Sequence, residues 1–93
     1  MAWSMIKYPS SFGGVERRYK FSNGLVASVV NHAFSYGGRD GLWELAVLDS
    51  NSNWMTREVF GFELEDDVIG YLNDEQLLER LKTIDEWESK NVN

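Results

Sequence analysis

The chain has 93 residues, of which 43% are hydrophobic and 14% aromatic, so it holds enough apolar material for the core of one small domain and is not a disordered chain. It contains no cysteine, which excludes a disulfide framework, a cysteine-based metal site and a thiol nucleophile. The apolar runs are only a few residues long and no basic segment precedes them, so we expect neither a transmembrane helix nor a signal peptide.

The net charge of −6 is unevenly distributed along the chain. Residues 1–48 carry five Lys and Arg against three Asp and Glu, whereas residues 49–93 carry four against twelve. An acidic half argues against direct nucleic-acid binding, which needs a basic face, and is compatible with binding to a basic surface on a partner protein. Acidic residues that serve only solubility are the alternative interpretation.

The first 15 residues are rich in apolar and aromatic side chains and include the single proline, Pro9. Trp3 and Met5 are separated by the polar Ser4, an apolar–polar alternation that is typical of a strand. We therefore interpret residues 1–15 as an N-terminal arm or an edge strand.

Residues 16–62 are predicted to form an antiparallel sheet. Its clearest part is a hairpin over residues 16–31, in which Asn23-Gly24 predicts a type I′ turn because both residues tolerate positive φ. The β-branched run from Leu25 to Val30 predicts a mostly buried strand.

A loop with three glycines, residues 32–41, separates this hairpin from the next predicted strand, residues 42–48. The polar residues 49–53 indicate a turn, and residues 54–62 are predicted to return as a fourth strand.

The end of the chain carries its strongest helix signal, and we predict a helix over residues 73–89. Asn73 can cap it, and Gln76 follows three residues later, as in a capping box. An apolar stripe recurs at helical spacing and comprises Leu77, Leu78, Leu81, Ile84 and Trp87. Residues 68–72, just before it, fit either a short helical turn or a brief strand.

The sequence therefore predicts a single α+β domain over residues 1–93, a three- to four-stranded antiparallel β-meander with a C-terminal α-helix packed on one face. The alternation of strand residues and the helical spacing also predict the core, which comprises Phe21, Leu25, Ala27, Val29, Trp43, Leu45, Val47, Leu77, Leu81 and Ile84.

Catalysis is not expected, because the chain has one histidine, no cysteine and no serine in a nucleophile elbow. His32, at a strand end, is interpreted as a loop histidine hydrogen-bonded to backbone, with acid–base chemistry beside Tyr36 or Asp40 as the alternative. We expect no catalytic residue, no cofactor and no metal site.

The loop from Phe34 to Gly41 is the most function-like stretch. Arginine can grip a phosphate or carboxylate, aromatic rings can stack on a base, and glycines let backbone approach a ligand closely. A structured loop that covers one end of the core is the alternative. The candidate ligand-binding residues are Phe34, Tyr36, Gly37, Gly38 and Arg39.

Two groups of acidic residues follow. Asp49, Asn51 and Asn53 mimic the first half of a calcium loop, but the sixth position is Trp54 and the twelfth is Phe60, which excludes that motif. The second group is the candidate partner-binding surface, with a solvated loop as its alternative, and it comprises Glu63, Glu65, Asp66, Asp67, Asp74, Glu75 and Glu79.

Several runs together resemble a known family: Asn23-Gly24, Phe34 to Gly38, Gly41 to Asp49 and Asp66 to Leu72, followed by a terminal helix. Over residues 17–86 the chain resembles a family of small, mostly uncharacterised proteins encoded by tailed bacteriophages and prophages. The resemblance implies a phage accessory protein made in the host bacterial cytoplasm. It assigns no catalytic role to any residue of this chain.

Three functional hypotheses follow from these features. The first is a non-enzymatic inhibitor or adaptor that binds a host protein with a basic surface, such as a nucleic-acid-binding defence enzyme, through the acidic residues. The second is a small-ligand protein that holds a nucleotide or nucleotide signal in the loop of residues 34–41. The third is a virion or self-assembling structural component. Exposed aromatic residues would support the contact between two copies in a homodimer.

Overall fold

The computed structural model describes residues 3–10 and 12–88. It contains five strands, β1 (Trp3–Pro9), β2 (Val15–Phe21), β3 (Val26–Asn31), β4 (Trp43–Leu48) and β5 (Ile69–Leu72), and two α-helices, α1 (Thr56–Phe60) and α2 (Asp74–Glu86). The strands form one antiparallel sheet in the order β1-β2-β3-β4-β5. The α+β class is confirmed, with α2 packed against the sheet and one or two more strands than predicted.

The core lies between α2 and the face of the sheet that carries Tyr19, Ala27 and Leu45. Side chains alternate across a strand, so one face of each central strand is buried while the other carries residues such as Arg18 and Ser28. All ten predicted core residues are buried, which confirms the register of the sheet and the buried face of the helix. Val29, Leu45, Val47 and Ile84 are among its fully buried side chains.

The predicted hairpin of residues 16–31 is confirmed, but its turn type is wrong. Gly24 has φ of +87°, whereas Asn23 is not among the residues with positive φ. The N–H of Gly24 donates to the Phe21 carbonyl at 3.1 Å, and the N–H of Phe21 donates to the Leu25 carbonyl at 3.0 Å. This is a three-residue loop closed by a left-handed glycine, which leaves the Asn23 side chain free for another contact.

The predicted fourth strand over residues 54–62 is wrong, because most of this segment forms α1. Trp54 makes a single bridge to Leu48, and the Thr56 hydroxyl then accepts a hydrogen bond from the Val47 N–H at 2.9 Å. Met55 and Val59, four residues apart, both pack against the core. That spacing is the helical one, and it outweighs the imperfect strand alternation.

The remaining elements differ from prediction mainly at their ends. The edge-strand interpretation is confirmed for β1, and the strand interpretation of residues 68–72 is confirmed as β5. The helix begins as predicted, since Asn73 and Gln76 form a reciprocal capping box. It ends at Glu86, earlier than predicted, because Trp87 is extended; residue 89 lies outside the described residues.

Candidate functional site

The predicted acidic residues lie along one edge of the fold, in the loop before β5 and in the first two turns of α2. β5 is an outermost strand of the sheet, and all seven carboxylates are exposed. Residues 61–79 contain no lysine, arginine or histidine. We call this set of seven residues the acidic edge.

Two of the seven carboxylates are engaged within the molecule. Asp74 accepts a hydrogen bond from the indole Nε1 of Trp43 at 2.9 Å, and Asp67 lies 3.7 Å from Nε of Arg57. Arg57 also donates to the backbone carbonyl of Glu65 at 2.7 Å, so it holds the loop before β5 in place. Within residues 3–10 and 12–88 the other five have neither a hydrogen bond nor an ion pair to the carboxylate: Glu63, Glu65, Asp66, Glu75 and Glu79.

Apolar surface accompanies these charges. Phe62 is 73% exposed and adjoins Glu63, and Leu78 is exposed on α2. Glu75 and Glu79, one helical turn apart, line an open cavity of about 450 Å³ together with Leu72. The guanidinium of Arg80 also lines it and stacks over the Phe60 ring, 5.0 Å from its centroid. The acidic edge thus combines exposed charge with an exposed aromatic ring, a residue type that is enriched at protein interfaces.

The seven carboxylates of the acidic edge do not gather into one cluster. Across the part of the chain that the structure describes, no group of three or more His, Cys, Asp or Glu residues is placed to hold a metal ion. The carboxylates therefore act as separate surface charges.

Two glycines of the predicted ligand loop lie so close to neighbouring backbone that no side chain fits at their positions. Gly37 has φ of +89°, and a Cβ atom there would lie 2.9 Å from Cα of Tyr71 in β5. A Cβ atom at Gly38 would collide with the carbonyl oxygen of His32. The loop therefore folds tightly on itself and against β5, which supports the structural interpretation of its glycines.

Three of the five predicted ligand residues nevertheless share one cavity. Phe34, Gly37 and Arg39 line a cavity of about 300 Å³, together with Asp40 and Tyr71. Tyr36 is not among the residues that line this cavity, although it is 50% exposed. Its backbone N–H donates to the Glu44 carboxylate at 2.7 Å, and its backbone carbonyl accepts from the Tyr71 N–H at 3.1 Å.

Sequence reasoning missed Tyr71 as a member of this cavity. Tyr71 has φ of +58° and lies where the register between β4 and β5 shifts, so its side chain is 60% exposed although it belongs to a strand. No local signal in the sequence marks such a bulge, because a tyrosine rarely adopts positive φ.

His32 is confirmed as a loop histidine bonded to backbone. Its Nδ1 accepts a hydrogen bond from the Phe34 N–H at 3.1 Å, and its own N–H donates to the Ser35 hydroxyl at 3.0 Å. The ring also packs against Phe12, with the centroids 5.4 Å apart. The histidine therefore organises the start of the loop.

Asp49 organises the turn that resembled half of a calcium loop. Its carboxylate accepts hydrogen bonds from the N–H of Asn53 at 2.9 Å, from the Asn53 amide at 3.0 Å and from the N–H of Asn51 at 2.8 Å. These bonds, those from Asn53 above all, hold the pKa of Asp49 below its usual range. The oxygens that a cation would need are used within the turn.

We compared the chain with known proteins by sequence and by structure. No protein-family profile, curated protein or solved structure matches this chain. In addition, neither described helix is both long and apolar enough to cross a membrane.

Proposed function

We propose that the protein is a non-enzymatic binding protein whose acidic edge docks onto a basic surface of a partner protein and thereby inhibits or modulates that partner. The observation that carries the proposal is the five exposed carboxylates that have no hydrogen bond or ion pair among residues 3–10 and 12–88, together with the exposed ring of Phe62, which adjoins Glu63 in the chain. Charges that the fold itself does not use are available to an external cation, and an exposed aromatic ring supplies apolar contact area.

The charges also suggest what kind of partner fits. A segment of 19 residues, 61–79, that carries seven carboxylates and no cationic side chain is attractive to surfaces that otherwise hold nucleic acid. Binding there would compete with nucleic acid and block the partner. In the setting that the phage-family resemblance implies, the partner is a host protein of the bacterial cytoplasm, and a nucleic-acid-binding defence enzyme is the class that matches.

The test compares two variants with equal changes in charge, used as bait in a bacterial lysate with quantitative mass spectrometry. Glu63→Gln/Glu75→Gln/Glu79→Gln neutralises three of the seven carboxylates of the acidic edge, whereas Glu58→Gln/Glu86→Gln/Glu88→Gln neutralises three exposed carboxylates elsewhere. Since each desolvated charge pair contributes roughly 1 kcal/mol, the first variant should capture at least about fivefold less of the partner, and the second should match wild type within about twofold.

An equal loss in both variants would show that only net charge matters, and no loss in either would show that the acidic edge is not the interface. Either result overturns the proposal. Capture of only the protein itself would favour the self-assembly hypothesis instead.

A further inference from the structure

A second surface, separate from the acidic edge, has the composition of a small-molecule site. We propose that the cavity between the loop of residues 33–40 and β5 binds a purine nucleoside monophosphate. Its volume of about 300 Å³ lies at the lower end of the range for ligand sites, as a mononucleotide requires. None of the seven carboxylates of the acidic edge lines it, so this inference does not rest on the proposed function.

Two exposed aromatic side chains line the cavity. Phe34 is 73% exposed and Tyr71 is 60% exposed, so both offer aromatic surface to a ligand in the cavity. The ring of Phe12 packs edge-to-face on Phe34 with the centroids 5.4 Å apart, so Phe34 is supported from one side. Stacking of a base on such a ring is worth about 1–3 kcal/mol and tolerates any base, and a purine offers the larger face.

The backbone that carries Tyr71 is held in one arrangement. The left-handed conformation of Tyr71 is unfavourable for a residue with a Cβ atom, yet its N–H is fixed to the Tyr36 carbonyl at 3.1 Å. Gly37 packs directly against Cα of Tyr71, which leaves little space for the strand to shift. A pre-formed aromatic wall loses little entropy when a ligand binds.

Arg39 supplies the charge that a phosphate needs. It is exposed at a short 3₁₀ turn, Gly38–Asp40, and among residues 3–10 and 12–88 its guanidinium makes no ion pair, not even with the neighbouring Asp40. A guanidinium offers a planar fork of donors that matches phosphate oxygens. The cavity therefore presents a free cation beside aromatic surface.

The charge of Asp40 favours a ligand with one phosphate over a ligand with two or three. Its carboxylate lines the same cavity and would repel a second phosphate, whereas it can accept hydrogen bonds from ribose hydroxyls or from a base amino group. Arg39 then offsets part of the charge of one phosphate monoester, which is about −1.5 to −2 at pH 7. A nucleic-acid strand is disfavoured, because the chain as a whole carries a net charge of −6.

The test is a set of NMR titrations of the isotope-labelled full chain, one compound at a time. AMP and GMP are the probes, and adenosine, inorganic phosphate and tetra-adenylate are the controls. We expect AMP or GMP to bind with a dissociation constant of about 1 mM or tighter and to shift the amide signals of residues 33–40 and of Tyr71. Adenosine and phosphate should each bind at least about tenfold more weakly, since each lacks one of the two contacts.

Three variants assign the contacts. Arg39→Ala and Phe34→Ala should each weaken nucleotide binding at least about tenfold, whereas Lys20→Ala, which removes an equal charge from β2, should change it less than about twofold. All three side chains are exposed, and the amide signals of β2 and β3 verify the fold.

Absence of localised shifts with both nucleotides at about 10 mM would overturn the inference, as would equal effects of Arg39→Ala and Lys20→Ala. Tighter binding of tetra-adenylate than of AMP would also overturn it, because a strand would then be the ligand. A failed titration would leave the capture experiment on the acidic edge unaffected.

Discussion

The side-chain amide of Asn23 donates a hydrogen bond to the backbone carbonyl of Ile84 at 2.8 Å, which joins the β2–β3 loop to the last turn of α2. The same amide reaches the carbonyl of Trp87 at 3.1 Å, and its oxygen accepts from the Leu25 N–H at 3.1 Å. The last carbonyls of a helix have no partner within it, and the last turn of α2 has no basic side chain. Asn23 therefore stabilises the end of the helix from the sheet.

Replacement of Asn23 by alanine should lower the free energy of unfolding by about 1–2 kcal/mol, since the Trp87 carbonyl loses its Asn23 donor and the Ile84 carbonyl keeps only the Trp87 N–H. Urea unfolding measures the loss, and hydrogen exchange should show the last turn of α2 opening first. The control is Ser22→Ala, an exposed neighbour in the same loop whose side chain makes no hydrogen bond to the described residues. Equal effects of the two changes would contradict the capping role.

The other end of α2 is fixed by the bond between Asp74 and the indole of Trp43. Asp74→Ala should cost about 1 kcal/mol more than Glu75→Ala, because both remove a charge from the first turn but only the first removes the indole bond. Asp74→Asn should recover most of the difference, since its amide oxygen can still accept. The indole N–H signal of Trp43 in NMR spectra reports the bond directly, and a signal unmoved by Asp74→Ala would refute it.

The lowered pKa of Asp49 gives a pH dependence whose sign can be stated. A carboxyl whose pKa is lower in the folded state stabilises the fold above its unfolded pKa of about 3.9, and this contribution is lost as pH falls through the lowered value. Asp49→Asn should therefore be less stable than wild type at neutral pH, and the difference should disappear in strong acid.

Thermal unfolding of both proteins across this pH range checks the prediction. Asp66→Asn, an exposed aspartate without such hydrogen bonds in the described structure, serves as the control for net charge. A stability difference between Asp49→Asn and wild type that persists unchanged at the lowest pH would count against the hydrogen-bonded turn.

The contact between the glycine-rich loop and β5 can be tested with two glycines. Gly37 and Gly41 both have positive φ, but a Cβ atom at Gly41 would meet nothing within 4 Å, whereas one at Gly37 would meet Cα of Tyr71 at 2.9 Å. Both alanine variants should lose about 1 kcal/mol from backbone strain, and Gly37→Ala should lose at least about 1 kcal/mol more. Unfolding curves that coincide for the two would show that the loop yields without cost.

The sequence alone predicted an element correctly wherever its local pattern and its tertiary contacts agree. The β-branched run from Leu25 to Val30 predicted the buried strand, and Leu77, Leu81 and Ile84 predicted the buried face of α2, because burial selects apolar side chains at these positions directly. Leu78, on the same predicted stripe, is exposed. The capping box at Asn73 was equally local.

The failures arise where tertiary contacts decide. Residues 54–62 fit a weak strand pattern, but the packing of Met55 and Val59 on the core and the bond from the Val47 N–H to the Thr56 hydroxyl favour α1. Asn23-Gly24 predicted a tight turn, but the asparagine side chain is needed 61 positions away at Ile84. Tyr71 joins the candidate cavity through a bulge, which no local propensity indicates.

The central claim, that the acidic edge binds a basic partner, is tested most directly by the salt dependence of that binding. The dissociation constant of the captured partner should rise at least about tenfold between about 0.1 M and 1 M salt, because the screening length falls from about 10 Å to 3 Å. The Glu63→Gln/Glu75→Gln/Glu79→Gln variant should show a weaker dependence on salt. Affinity that does not change with salt, and a variant that binds like wild type, would contradict the account.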